Sequence, residues 1–262
     1  MQIVYVNAAN LPDIGRTAPK AAMALGYFDG VHLGHQKVIR TAKEQADAQN
    51  LAVAVLSFFP HPKSVLFPDR EVAYLEPLEQ KAEKLERLGV ELFYVVEFTK
   101  ELAKVEPDDF LNDYIVGLNA QEIVCGFDYT YGAKAKGTVE TLAVYADVQQ
   151  VGLTVVEELK WNEQKISSTL IRQHLADRQL SELPELLGTF HQTKYCQKNG
   201  LLPNYSLPNV GTYKVRIETP ESSVECVATV KCKRTIQLNY DWSALPKLLK
   251  IHWMAQLEAV AT

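Results

Sequence analysis

Two histidines, His32 and His35, stand three residues apart in the stretch Leu25-Gly26-Tyr27-Phe28-Asp29-Gly30-Val31-His32-Leu33-Gly34-His35. Imidazole N–H groups can donate hydrogen bonds to phosphate oxygens. The glycines around them let a backbone approach a ligand closely. A helix starting at this point would add unpaired N–H groups and a partial positive charge, which suit phosphate. The combination reads as a nucleotide site. A second group is Ser167-Ser168-Thr169 with Arg172 one helical turn further on. Hydroxyls ahead of an apolar helical pattern fit a helix cap, and Arg172 falls on the same side as Ser168 and Thr169. Two readings stand: an ordinary capped helix, or a second phosphate clamp working with the histidine turn.

Other candidates carry less chemistry. Asp29 and Asp128 could orient a ligand or a histidine, although Asp29 also suits a residue that only fixes a turn. His174, His191 and His252 show no partners in the sequence and read as structural. Lys134 and Lys136 lie in a glycine-flanked loop that reads as mobile and solvated, since exposed lysines need no special role. The four cysteines, Cys125, Cys196, Cys226 and Cys232, form no CxxC pair, so reduced thiols are expected and no metal-ligand set is read. Cys226 and Cys232 share a predicted β region and could be neighbours.

The elements that must position these groups alternate along the chain. The spacing predicts strands over 2–6, 21–25, 51–58, 92–96, 122–125 and 153–159. Between them it predicts helices over 36–49, 77–88, from Pro107 through the apolar set Phe110, Leu111, Tyr114, Ile115 and Leu118, and 139–148. A polar loop is expected from the first strand to about Pro19. Pro60-His61-Pro62 should stop the third strand at a point where helix and sheet are both disfavoured. Alternation of this kind predicts an α/β fold with an open parallel sheet, its ligands beyond the carboxyl ends of the strands. The segments marked by Gly26, Pro60 and Gly126 each follow a strand, so three loops should converge on that edge.

After a helix over 180–187 and Gly188 the texture changes. Pro203, Pro208 and Gly211 punctuate short runs over 212–218, 224–230 and 235–240, which predict a small β domain. The segment 245–260 fits either a helix or a strand followed by a helix. The expected division is therefore 1–187 and 188–262.

Composition narrows the function classes. With 47% hydrophobic and 23% charged residues and a net charge of −5, the chain reads as a globular protein without the basic footprint of a nucleic-acid binder. No apolar run reaches membrane-spanning length, and the first residues lack the pattern of a signal peptide, so a cytoplasmic protein is expected. Oligomeric state is left open.

Taken together, GYFDGVHLGH, SFFPHP at 57–62, CGFDYTYG at 125–132 and ISSTLIR at 166–172 resemble the bacterial FAD synthetases, usually bifunctional riboflavin kinase/FMN adenylyltransferases. The resemblance is continuous over 21–188. It implies an open parallel Rossmann-like nucleotidyltransferase sheet with a smaller C-terminal β-barrel-like domain. It also implies transfer of AMP from ATP to FMN, giving FAD and pyrophosphate. By that resemblance His32, His35 and Arg172 are catalytic. Gly26, Phe28, Asp29, His32, Gly34, His35, Ser167, Ser168, Thr169 and Arg172 would bind ATP, with Mg²⁺ on its phosphates. Phe58, Pro60, His61, Pro62 and Asp128 would belong to the flavin pocket. The departure is C-terminal: residues 198–213 lack the Pro-Thr-Ala-Asn of the kinase domain, and the chain ends early. A monofunctional member with a degenerate kinase domain is expected. The other readings are an adenylyltransferase for a different phosphorylated small molecule and a non-catalytic flavin- or nucleotide-binding regulator.

Overall fold

Continuous apolar strands need both faces covered, and the helices between them do this in the first of two compact units. The structure, a computed structural model, describes residues 1–69, 72–196, 200–201, 205–218, 222–232, 235–240 and 248–257. The first unit comprises Met1–Phe28, Gly34–Val72 and Leu78–Glu158. Its strands are β1 (Gln2–Val6), β2 (Ala21–Leu25), β3 (Ala52–Phe59), β4 (Leu92–Glu97), β5 (Ala120–Gly126) and β6 (Gly152–Val156). They form one parallel sheet in the order β1-β4-β3-β2-β5-β6. All five residues of β2 are buried, as its unbroken apolar run requires. From β2 the chain steps outward through β3 and β4 and then returns to the other side of β2 with β5. The strand order thus reverses between β2 and β5, and Gly26 and Gly126 mark their carboxyl ends. In open α/β sheets that reversal is where ligands bind.

The intervening helices are α1 (Leu11–Thr17), α2 (Leu33–Gln49), α3 (Pro62–Leu66), α4 (Leu78–Arg87), α5 (Pro107–Phe110) and α6 (Val139–Gln149). Two of these correct the sequence reading. The loop expected before Pro19 contains α1, with a proline in its first turn. Pro62 does not break structure but opens α3, because a helix leaves its first N–H groups unpaired and loses nothing to proline there. The helix from Pro107 also differs: α5 widens into a π-helical turn over Leu111–Val116 and buries Leu111, Tyr114 and Ile115.

The second unit comprises Asp29–Leu33, Ala73–Pro77 and Leu159–Thr262. It holds a two-stranded ribbon, β7 (Lys160–Trp161) with β8 (Gln164–Lys165), then α7 (Ser168–Ala176) and α8 (Leu183–Leu187). Six antiparallel strands follow: β9 (His191–Cys196), β10 (Gly200–Leu201), β11 (Gly211–Glu218), β12 (Ser223–Cys232), β13 (Thr235–Asn239) and β14 (Leu248–Gln256). Their order is β10-β9-β14-β11-β12-β13, and the edge strands β10 and β13 approach each other, curling the sheet toward a barrel. Alternate residues face its core: Tyr213, Val215 and Ile217 from β11, Ile236 and Leu238 from β13, Leu249, Ile251 and Trp253 from β14. Ile171, Leu175, Leu183 and Leu187 of α7 and α8 join that cluster.

The packing division therefore falls at 158/159 rather than at 187/188, with two short earlier segments counted in the later unit. Within the span 245–260, residues 248–256 form a strand. Residues 245–247 and 258–260 lie outside the described residues, as do 198–199 and 202–204 of the departure from the kinase pattern.

Candidate active site

The histidine turn begins where β2 ends. Phe28, Gly30 and Val31 have φ of 53°, 81° and 40°. For a bulky or β-branched residue such a φ is an outlier and costs about 1–3 kcal/mol. Gly26 permits the geometry, since a Cβ there would lie 2.9 Å from the Phe28 ring. The strain is held by bonds within each unit.

In the first unit, the Tyr27 carbonyl accepts from Ser57 Oγ at 2.8 Å and from Lys81 Nζ at 2.6 Å. The Phe28 ring is buried and meets the His35 ring edge-on, 5.2 Å between centroids. His35 lies in the first turn of α2, where the N–H groups are unpaired within the helix. The Tyr27 ring lies 4.4 Å from that of His61. His61 caps α3, its Nδ1 accepting from Lys63 N at 3.0 Å. Phe58 packs on the aromatic side of the core, 5.7 Å from Phe98 and 6.1 Å from Phe110. Pro60 is half-buried at the end of β3. Asp128 is exposed in the loop after β5. Burial pushes the neighbouring Cys125 thiol up to about 12, with the Asp128 charge adding to the effect. That thiol stays protonated and unreactive at neutral pH.

In the second unit Asp29 is the hub. Its carboxylate is 4% exposed and accepts from Arg172 Nη2 at 2.6 Å and from the amides of Leu75 at 3.0 Å and Glu76 at 3.3 Å. Ser168 Oγ donates to the Asp29 carbonyl at 2.9 Å. Arg172 also donates to the Ala73 carbonyl at 2.8 Å. Ser167 caps α7, its Oγ accepting from Leu170 N at 3.1 Å, while Thr169 is exposed. His32 is buried immediately before α2. So the structure brings Asp29, Ser168 and Arg172 into direct contact. It gives Ser167 the capping role that the sequence left as one of two readings.

Three histidines read as partnerless do have partners. His174 bonds Leu170 O at 3.0 Å and Glu182 at 3.2 Å, His191 bonds Ser206 O at 2.8 Å, and His252 bonds Glu218 at 2.6 Å. Burial, partly offset by Glu218, lowers the pKa of His252. Lys136 of the basic loop pairs with Glu106 at 3.0 Å. Cys226 and Cys232 lie on the same strand, and no cysteine is disulfide-bonded. Sequence reading missed Lys81, which is 2% exposed. The signal was present, since Lys81 stands with Leu78, Ala82 and Leu85 on one helical face.

A parallel sheet with a glycine-marked HxGH turn after its innermost strand defines a Rossmann-like nucleotidyltransferase. A family model described as FAD synthetase matches residues 15–170. The bifunctional riboflavin kinase/FMN adenylyltransferase of Listeria monocytogenes is 42% identical over 210 residues, covering 74% of this chain and 67% of that protein. The Bacillus subtilis protein of the same name is 41% identical over 232 residues, covering 82% and 73%. A Listeria monocytogenes FAD synthetase is 33% identical over 221 residues, covering 82% and 87%. A Streptococcus pneumoniae crystal structure described as a macrolide-efflux protein superposes with a TM-score of 0.86 at 28% identity, covering 100% of this chain and 93% of that one. This chain belongs to the FAD synthetase family. Among the described residues no helix is long and apolar enough to cross a membrane.

Proposed function

We propose that the protein is an FMN adenylyltransferase that makes FAD and pyrophosphate from ATP and FMN and does not phosphorylate riboflavin. The observation that carries this is the strained Phe28–Val31 turn with His32 and His35 at the start of α2. A phosphate monoester has a second pKa of roughly 6, so FMN arrives as a nucleophile needing little help from a base. An oxygen of its phosphate attacks the α-phosphorus of ATP. The new P–O bond forms as the bond from that phosphorus to the bridging oxygen of pyrophosphate breaks. Positioning and charge neutralisation then dominate the barrier.

His32, His35 and the first N–H groups of α2 supply donors for the triphosphate oxygens. Ser167, Ser168, Thr169 and Arg172 form the second set, acting on the β- and γ-phosphates and the departing pyrophosphate. Gly26, Phe28, Asp29 and Gly34 shape the turn that carries the histidines. Phe58, Pro60, His61, Pro62 and Asp128 serve the flavin. Among the described residues no three His, Cys, Asp or Glu side chains cluster as a metal site. Mg²⁺ would enter with the triphosphate and supply neutralisation of its charge. In functional terms the chain divides into a transferase part, 1–187, and a kinase-like β part without kinase activity, 188–262. ATP as substrate and cysteines without disulfides suit a cytoplasmic location.

The test is to incubate the protein with ATP, Mg²⁺ and either riboflavin or FMN and to separate the flavins. FAD should form from FMN, and riboflavin should stay unchanged. FMN formed from riboflavin would refute the monofunctional reading, and absence of FAD would refute the transferase itself.

A further inference from the structure

Helix α4 buries Ala82 and Leu85 and half-buries Leu78 along one stripe, and Lys81 occupies the position in that stripe where an aliphatic residue would pack at no electrostatic cost. A lysine 2% exposed is rare, because an ammonium leaves water only at a cost that specific partners must offset. Partners from the motif loops are among those it has. Lys81 Nζ donates to the Tyr27 carbonyl at 2.6 Å, lies 3.4 Å from Ser57 Oγ, and sits 4.5 Å from the centroid of the Tyr27 ring. Ser57, near the carboxyl end of β3, donates to the same carbonyl. The Tyr27 ring in turn contacts His61. One cation therefore ties the exit of β2 to the exit of β3, immediately before Phe28 takes its positive φ.

We propose that Lys81 is a positioning residue for adenylyl transfer. Its buried ammonium fixes the Tyr27 carbonyl, and with it the backbone that presents His32 and His35. The inference rests on the FMN adenylyltransferase reading. Hydrogen bonds to a charged donor are stronger than neutral ones, and a misplacement of about 1 Å in a catalytic group can cost on the order of a hundredfold in rate.

Lys81→Met keeps the length and fills the same apolar stripe. A merely structural lysine would leave the folded variant equal to the parent in turnover. The expected result is a folded protein. Its kcat for FAD formation should fall at least about tenfold, the scale of one lost transition-state interaction. KM for ATP and for FMN should change much less than kcat. Hydrogen exchange at the amides of Phe28 to Val31 should accelerate while that of β3 does not. If Lys81→Met does not fold, Lys81→Gln, which is polar but too short to keep the contact, is expected to show the same split. Parental kcat and parental exchange in the folded variant overturn the proposal. A parent that makes no FAD fails the transferase reading instead, and the exchange comparison still tests the anchoring of the turn.

Discussion

Arg172 is committed to Asp29 at 2.6 Å, so removing either side chain does more than delete a phosphate contact. Asp29 is 4% exposed and Arg172 35%. Breaking a fully buried pair costs about 3–5 kcal/mol, and the exposed arginine reduces that to about 1–3 kcal/mol here. Asp29→Asn keeps an acceptor for the Leu75 and Glu76 amides but releases Arg172. It should lose about 1–3 kcal/mol in urea unfolding and at least about tenfold in turnover, matching the turnover loss of Arg172→Ala. Parental turnover in Asp29→Asn would confine Arg172 to the phosphates and leave Asp29 without a part in the reaction. The sequence named both residues, because each lies in a recognisable motif. It could not pair them, since 143 positions separate them and no local pattern records a tertiary ion pair. Lys81 was missed for the opposite reason: its spacing puts it on the apolar face with Leu78, Ala82 and Leu85, but its residue type points to solvent, and type outweighed spacing.

Helix α7 shows how a capping residue and a ligand-binding residue can share one hydroxyl. Ser167 Oγ accepts from Leu170 N, which leaves its own hydrogen available to an anion. Ser167→Ala should cost about 1 kcal/mol of stability. Ser167→Asp should restore the cap and the stability. It also places a carboxylate where the triphosphate would be held, so FAD formation should fall at least tenfold. Full activity in Ser167→Asp, measured alongside its melting temperature, would remove Ser167 from the phosphate set. At this scale the parallel sheet was readable, because β2 to β5 are apolar runs bounded by glycine and proline. Elements set by end effects or tertiary contact were not. Helix α3 depends on Pro62 at a first position rather than an interior one, and β14 is fixed by its pairing with β9 and β11.

For the whole molecule, the chain passes between the two units at 28/29, 33/34, 72/73, 77/78 and 158/159. Cutting it at the functional division would strand the apolar faces of α7 and α8, because Ile171, Leu175, Leu183 and Leu187 share a core with Tyr213, Val215, Ile251 and Trp253. A 1–187 fragment is therefore expected to aggregate and to form no FAD. A soluble, fully active fragment would show that the later sheet is dispensable to the fold of α7. The small β unit thus has a reason to persist without any kinase chemistry: it completes the core on which the Arg172 helix rests.

The Asp29–Arg172 pair also sets a clock during synthesis. Asp29 leaves the ribosome 143 residues ahead of its partner. At about 5–20 residues per second that interval is on the order of ten seconds. Through that time the carboxylate of the strained turn lacks its guanidinium partner, so a nascent or prematurely terminated chain that already displays both histidines is not yet a competent transferase.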